Sequence, residues 1–410
     1  MRRNFTMFKV DSEQTWLNHL RQDIMPFWTS PGMLGTPLGN FPTFADQNGC
    51  PIPDQEHYMR TLGRQIYTYL AAAELLNCPE YLEYAGAGFD WLENHARNPK
   101  GGYFSRLTED GRPIDCPTTV QDLCYTVFPY LHLYRRTGRA DDLLPVIEVI
   151  RLIDQKFRCD GKMIDAMDPT YTRRCEFEGD SLNIVSVLDL MNLLVVPLAQ
   201  MRETVETLFP EGMELLERLL DLLVDEFWHN GIFWNNAENR SDYAAKHVDF
   251  GHTSKAYGIV LDANRILAKR GDPVKYRQLE RYYIPMLQAA ADSEIGWKTD
   301  FASSSCTFRE GAVQWWRYIL IDQVAARYAA DYPEVRPLLR NGLERWFSLP
   351  FVDRGRAVRG IREGLREDGT LWGDDASFTC KANLWKNGYH EVEHVQSMLQ
   401  YLQNFTVSGL

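Results

Sequence analysis

Segment after segment of this 410-residue chain places apolar residues at helical spacing, and strand-like alternation is rare and short. The helical segments run from Gln65 to Leu76, Glu80 to His95, Val120 to Thr137, Leu143 to Phe157, Ser181 to Met201, Glu211 to Phe227, Thr253 to Lys269, Val274 to Asp292, Ala312 to Tyr328 and Val335 to Phe347. A further apolar helix is expected from about Val392 to Phe405. A helix with one apolar stripe has to bury it against another helix, so the fold class is all-α.

The breaks between these segments repeat a theme. Asn48-Gly49, Gly101-Gly102-Tyr103-Phe104 with Asp110-Gly111, Asp160-Gly161, Asn230-Gly231-Ile232-Phe233-Trp234, Ile295-Gly296-Trp297 and Asp368-Gly369-Thr370-Leu371-Trp372 each join a turn signal to a glycine, several with an aromatic nearby. Taken singly, such a glycine reads as a helix-capping residue. Together they recur on the order of every 50 to 70 residues, one helix pair plus a connection. About six units fill the chain, and a toroid of six helical hairpins accounts for them, with apolar helices inside and amphipathic helices outside. Its aromatic loops are expected to gather at one rim around a pocket. No linker divides the chain, so residues 1–410 read as one domain, with 1–40 a possible N-terminal extension.

Composition narrows the function. A net charge of -12 lacks the electrostatic footprint of a nucleic-acid binder. The eight cysteines form no Cys-x-x-Cys and read as reduced, mostly packed thiols. Met1-Arg2-Arg3-Asn4-Phe5 has no apolar stretch behind its basic pair, so a secretory signal is not expected. The longest apolar run, Leu182 to Ala199, is interrupted by Asn183, Asp189 and Asn192 and reads as a buried core helix rather than a membrane span. These features predict a cytoplasmic protein; monomer and homodimer are both left open. There is no His-Glu-x-x-His, Gly-x-Gly-x-x-Gly, Walker loop or Gly-x-Ser-x-Gly, so no cofactor is expected. A metal site from His229, His247 and His252 has no diagnostic spacing.

The candidate chemistry lies in two histidine segments, Asp249-Phe250-Gly251-His252-Thr253-Ser254-Lys255 and Leu384-Trp385-Lys386-Asn387-Gly388-Tyr389-His390. Two imidazoles in an aromatic pocket pass protons across a small substrate near neutral pH. His252 precedes the apolar stretch Ala256 to Leu267, with Thr253 or Ser254 as the expected helix cap. Trp385, Tyr389 and His390 form a candidate carbohydrate platform, and His394, four residues on, is a candidate support group. Arg64, in a helix with Tyr67, Tyr69 and three alanines, offers a fork of donors for substrate oxygens. Trp315 and Trp316 cannot face the same way, so one is expected in the core and one at the rim. Asp374 and Asp375 beside Trp372 supply a pair of acids, as a glycosidase uses. Against each stands a plainer reading: loop histidine, helix-entry packing, surface arginine, helix-capping acids.

With these segments in order, the chain resembles the N-acylglucosamine 2-epimerase family of sugar epimerases and isomerases, which includes mannose isomerases and cellobiose 2-epimerases. The resemblance runs from about residue 40 to 402. It rests on Arg64-Gln65-Ile66-Tyr67-Thr68-Tyr69, Gly101-Gly102-Tyr103-Phe104, Gly251-His252, Trp315-Trp316 and, most specifically, Trp385-Lys386-x-x-Tyr389-His390. It implies an (α/α)6 barrel and proton transfer at C2 of an opened sugar through a cis-enediolate, without metal or nucleotide. His252 and His390 would be the base and acid, Arg64 would bind the enediolate oxygens, and Tyr67, Trp316, Trp385, Tyr389, Lys255 and His394 would surround the substrate. Alternatives are a modified-sugar or non-sugar metabolite, glycosidase or lyase chemistry on the same barrel, and sugar binding without turnover.

The chain departs from the family pattern at several points. Lys255 stands where a glutamate usually orients the first histidine. Asn183-Ile184-Val185-Ser186-Val187 has no histidine where the family has one, Leu320 lacks the usual acid, and Glu393 replaces an arginine. A charged Lys255 would lower the pKa of His252 and is expected to pair with an acid elsewhere, such as Glu393.

Overall fold

A computed structural model describes residues 9–176, 181–201, 207–236, 238, 240, 242–243, 245–301, 312–371 and 381–408. Among the described residues twelve helices build a barrel, alternately outer and inner along the chain. The outer ones are α1 (Glu13–His19, prolonged through a π-helical turn at Leu20–Ile24 into Met25–Trp28), α3 (Glu80–Trp91, then π-helical Leu92–Ala96), α5 (Leu144–Lys156), α7 (Gly212–Leu222, then π-helical Leu223–Phe227), α9 (Glu280–Ala290) and α11 (Arg336–Ser348). The inner ones are α2 (Met59–Leu76), α4 (Val120–Thr137), α6 (Ile184–Asp189, through π-helical Leu190–Val195 to Val196–Gln200), α8 (Phe250–Arg270), α10 (Trp315–Tyr328) and α12 (Tyr389–Ser408). Each inner helix packs on the next, α2 on α4, α4 on α6, α6 on α8, α8 on α10 and α10 on α12, and α12 returns to α2. The ring is an (α/α)6 barrel, as the helical periodicity and the recurring loops predict.

Sequence decides which ring a helix joins. In α2 every residue from Met59 to Ala73 is buried, whereas α7 buries Gly212 and the stripe Leu215, Leu216, Leu219 and Leu220. The inner helices also approach each other closely. A Cβ at Gly63 would lie 2.1 Å from the Tyr125 carbonyl oxygen, so only glycine lets α2 lie against α4 there. That packing carries α2 back to Met59, six residues before the start read from periodicity. Among the described residues, no helix is long and apolar enough to cross a membrane.

All six inner helices begin at one rim, and every entry is tied to the loop that leaves an outer helix. His57–Tyr58 pairs with Arg106–Leu107, Thr118–Thr119 with Ala166–Met167, and Ala312–Gln314 with Gly364–Arg366. Single bridges join Asp249 to Asp300 and Ala382 to Ala45, and the Ile184 amide donates to the Asn235 carbonyl. This pairing takes Ala312–Gln314 out of the helix expected there, and Ala291–Asp292 likewise leaves α9 to pair with Gly296–Trp297. Several of the glycine loops are rim hairpins rather than helix caps. Asn230-Gly231 (φ 50° and 86°) and Asp160-Gly161 (φ 50° and 76°) hold two successive left-handed residues, the demand of a two-residue hairpin turn.

Of the described cysteines only Cys116 and Cys124 are buried, and Cys50 is exposed, which corrects the expectation of mostly packed thiols.

Candidate active site

Because the inner helices share a rim, their first turns converge. His252 is the third residue of α8, Trp316 the second of α10, His390 the second of α12, and Arg64 the sixth of α2. The Trp316 ring is half-buried and neighbours both histidines, 4.9 Å from the centroid of His252 and 6.2 Å from that of His390. Its neighbour Trp315 is in the core, 1% exposed. The two tryptophans therefore divide as their adjacency on a helix predicts.

His252 is buried at 7% exposure. The cap of α8 is Asp249, not the expected Thr253 or Ser254: its side chain accepts the His252 amide at 2.8 Å. The helix accordingly starts at Phe250, and Thr253 and Ser254 fall inside it. The other Asp249 oxygen lies 2.6 Å from His252 Nδ1. Burial pushes His252 below the ordinary imidazole value, against the pull of Asp249. Burial also opposes ionisation of Asp249, but Arg317 and His252 outweigh it and hold the carboxyl far below the usual carboxylate range.

His390 is depressed further, first by burial and then by Arg64, Lys255, Lys386 and His252. Its Nδ1 is buried without a hydrogen-bond partner. Arg64 is buried, not at the surface. Its guanidinium lies 3.5 Å over the Tyr125 ring, donates to the Trp385 carbonyl at 3.4 Å, and leaves Nε without a partner. Two buried polar groups with unmade bonds at one rim are costly unless something completes them.

Lys255 points inward and pairs with Asp189 on α6. This corrects the expected pairing with Glu393, which instead accepts from Gln323 at 3.2 Å and is pushed up by burial. Asp189 also accepts from Gln121 at 2.8 Å and from Tyr125 at 3.2 Å. Burial opposes its ionisation, yet Lys255 holds it low, and Asp189 in turn raises Lys255. The effect of Lys255 falls on His390, whereas His252 is set mainly by burial and Asp249.

The aromatic residues divide by depth. Trp385 is exposed at the rim, with the Arg60 guanidinium 4.8 Å from its ring. Tyr389 is buried against Tyr67, Tyr125 and Phe128, and Tyr67 lies deeper still, donating to Gln396 at 2.8 Å. His394 is not brought to the histidine pair. It sits in the wall of the barrel, 3.0 Å from Asp322, with the rings of Trp16 and Trp346 each 5.0 Å away. The His247 ring lies 5.0 Å from that of His252, but among the described residues no three His, Cys, Asp or Glu side chains, His229 included, are placed to hold a metal ion. Trp372, Asp374 and Asp375, and the loop 303–306 before the tryptophans, lie outside the described residues.

Sequence reasoning missed Asp249, Asp189, Gln121, Tyr125 and Arg60. Asp249 had a legible signal, an acid three residues ahead of the histidine at a helix start. Asp189 had none, because its partner comes from another helix.

Residues 39–233 match the model of the N-acylglucosamine 2-epimerase family. A cellobiose 2-epimerase of Bacteroides fragilis is 23% identical over 352 residues, covering 80% of this chain and 83% of that protein. Among solved structures, a cellobiose 2-epimerase from Spirochaeta thermophila is similar with a TM-score of 0.75 at 17% identity, covering 96% of this chain and 97% of that one. A D-mannose isomerase gives a TM-score of 0.74 at 15% identity, covering 97% and 99%. The first half of the chain thus matches the N-acylglucosamine 2-epimerase family, and the whole barrel is similar in fold to a cellobiose 2-epimerase and a D-mannose isomerase.

Proposed function

We propose that the chain is a sugar 2-epimerase or aldose–ketose isomerase that moves a proton between His252 and His390. The observation that carries this reading is the pair of buried imidazoles that share Trp316 as a neighbour, 4.9 and 6.2 Å from its ring. Burial keeps both histidines neutral at pH 7, the state in which an imidazole accepts a proton. One removes the proton from C2 of the open-chain sugar. The C–H electron pair forms the C1–C2 double bond, and the carbonyl pair moves onto O1, giving a cis-enediolate. Returning the proton to C1, while the O2 proton passes to O1 and the O2 pair forms the C2 carbonyl, yields the ketose; returning it to the opposite face of C2, while the O1 pair re-forms the C1 carbonyl, yields the epimer.

The unpartnered Arg64 Nε and the charge of Lys255 favour the negative oxygens of that intermediate. Six inner-helix N-termini at the same rim add their positive dipole ends. Trp316, Trp385 and Tyr389 form the aromatic wall, and nothing in these steps calls on a metal or nucleotide.

The test is NMR of the purified protein in deuterated water with mannose, glucose, fructose, lyxose, N-acetylmannosamine and cellobiose. Deuterium at C1 or C2 of any of them is the expected result and names the substrate class. Absence of exchange throughout would overturn the reading in favour of a modified substrate or of binding without turnover.

A further inference from the structure

Asp249 touches His252 twice. One carboxylate oxygen accepts the His252 amide at 2.8 Å, which fixes the backbone of the first turn of α8. The other lies 2.6 Å from Nδ1 of the ring. The carboxylate is itself held, at 1% exposure, with Arg317 Nε of α10 at 3.3 Å from the oxygen that faces the ring. Arg317 also binds Asp300, whose backbone pairs with that of Asp249 across the rim. The residue that faces His252 is therefore clamped from two elements, and a guanidinium beside it keeps it an anion.

An ionised carboxylate only accepts hydrogen bonds, so the ring nitrogen facing it has to carry the proton. Among the described residues, no hydrogen-bond partner is found for the opposite nitrogen, Nε2. Lys255, one turn further along α8, is committed to Asp189 and supplies no acceptor to the ring.

We infer that Asp249 is the positioning residue of the proton-transferring base: it holds His252 as the Nδ1–H tautomer, presents Nε2 to the substrate, and faces the imidazolium that forms when Nε2 takes up the C2 proton. The orienting acid thus precedes the histidine by one turn, at the helix cap, while the position one turn after it is a lysine. The inference rests on the proposed sugar chemistry for its kinetic consequence, but not for the tautomer. The charged and titratable groups around the ring are Asp249 and His247 from the entering strand, Arg317 from α10 and His390 from α12.

Asp249→Asn keeps an oxygen for the helix cap but turns an amide donor toward Nδ1, which forces the proton onto Nε2. In protein carrying ¹⁵N-labelled histidine, with His252 assigned by its loss in His252→Gln, the wild type is expected to show Nδ1 protonated and Nε2 bare at pH 7.5. The pattern should be reversed in Asp249→Asn. On a sugar that the wild type turns over, kcat of Asp249→Asn should fall about 100-fold or more with KM within about threefold. The bell of its pH–rate profile should shift, whereas a purely structural loss would lower the active fraction and leave the profile in place. A wild-type His252 protonated at Nε2, or an Asp249→Asn variant with unchanged kcat and pH profile, overturns the inference. A wild type that exchanges no sugar overturns the proposed function instead and leaves the tautomer result to stand by itself.

Discussion

Lys255 on α8 and Asp189 on α6 form an ion pair that joins two inner helices beneath the candidate pocket, with side-chain exposures of 7% and 4%. Gln121 and Tyr125 on α4 bind the same carboxylate, so three consecutive inner helices meet at one anion. Removing either charge strands the other out of water. Lys255→Met or Asp189→Asn should each cost about 3–5 kcal/mol of stability, and the double variant should cost less than the sum. Urea denaturation of the four proteins in a double-mutant cycle measures this; additive losses would show that the two groups do not act as a pair. Lys255→Glu sets a second carboxylate beside Asp189 and should destabilise the fold without improving sugar turnover.

His252→Ala and His390→Ala should each lower proton exchange at C2 by about 10²–10⁴-fold while the far-ultraviolet circular dichroism stays that of the wild type. Each ring lies in a first turn at the rim, where its loss removes little helix packing. Full activity in both variants would reject the histidine mechanism.

His57 gives a pH dependence with a defined sign. Burial lowers it from the ordinary imidazole value to about 4, and its Nδ1 lies 2.6 Å from Asn40 Oδ1. The unfolded chain takes up a proton at His57 near pH 6.5, and the folded chain only near 4. His57 therefore leaves the fold unpenalised above pH 6.5, and its cost grows as the pH falls from there to about 4. Relative to His57→Gln, the wild type should lose on the order of 3 kcal/mol across that window, read from urea midpoints at pH 7, 5.5 and 4. A difference that stays constant with pH would place the folded-state pKa near its ordinary value.

Gly63→Ala should destabilise the barrel by about 1–3 kcal/mol or more, because the new methyl meets backbone and not a movable side chain. Thermal unfolding compared with that of Gly86→Ala, where nothing lies within 4 Å of the added Cβ, separates the close approach from any general effect of glycine replacement.

Helix positions were legible because apolar spacing survives in one dimension, and the ring followed from the recurrence of similar loops at irregular intervals. Boundaries shifted where pairing across the rim competes with the helix, as at Ala312–Gln314. Candidate site residues were legible where one short segment holds both the group and its setting, as for His390 with Trp385 and Tyr389. Partners drawn from another helix were not. Lys255 signalled a need for an acid, but its choice of Asp189 over Glu393 depends on which inner helices are neighbours. His394 shares a helical face with His390, yet one turn deeper that face meets Trp16 of α1 and Trp346 of α11 and is closed to any ligand.

The hairpin formed by α12 and α1 is the one whose two halves stand far apart in the chain. A ribosome making this protein from its amino end completes five inner helices before it reaches His390, and until then the barrel is a horseshoe with an open seam. Trp16, Leu20 and Trp28 of α1, all buried in the finished molecule, have no α12 to cover them during that interval. The helix that finally seals this seam is also the one that carries His390 to its place beside Trp316. Completion of the ring and assembly of the histidine pair are therefore one event.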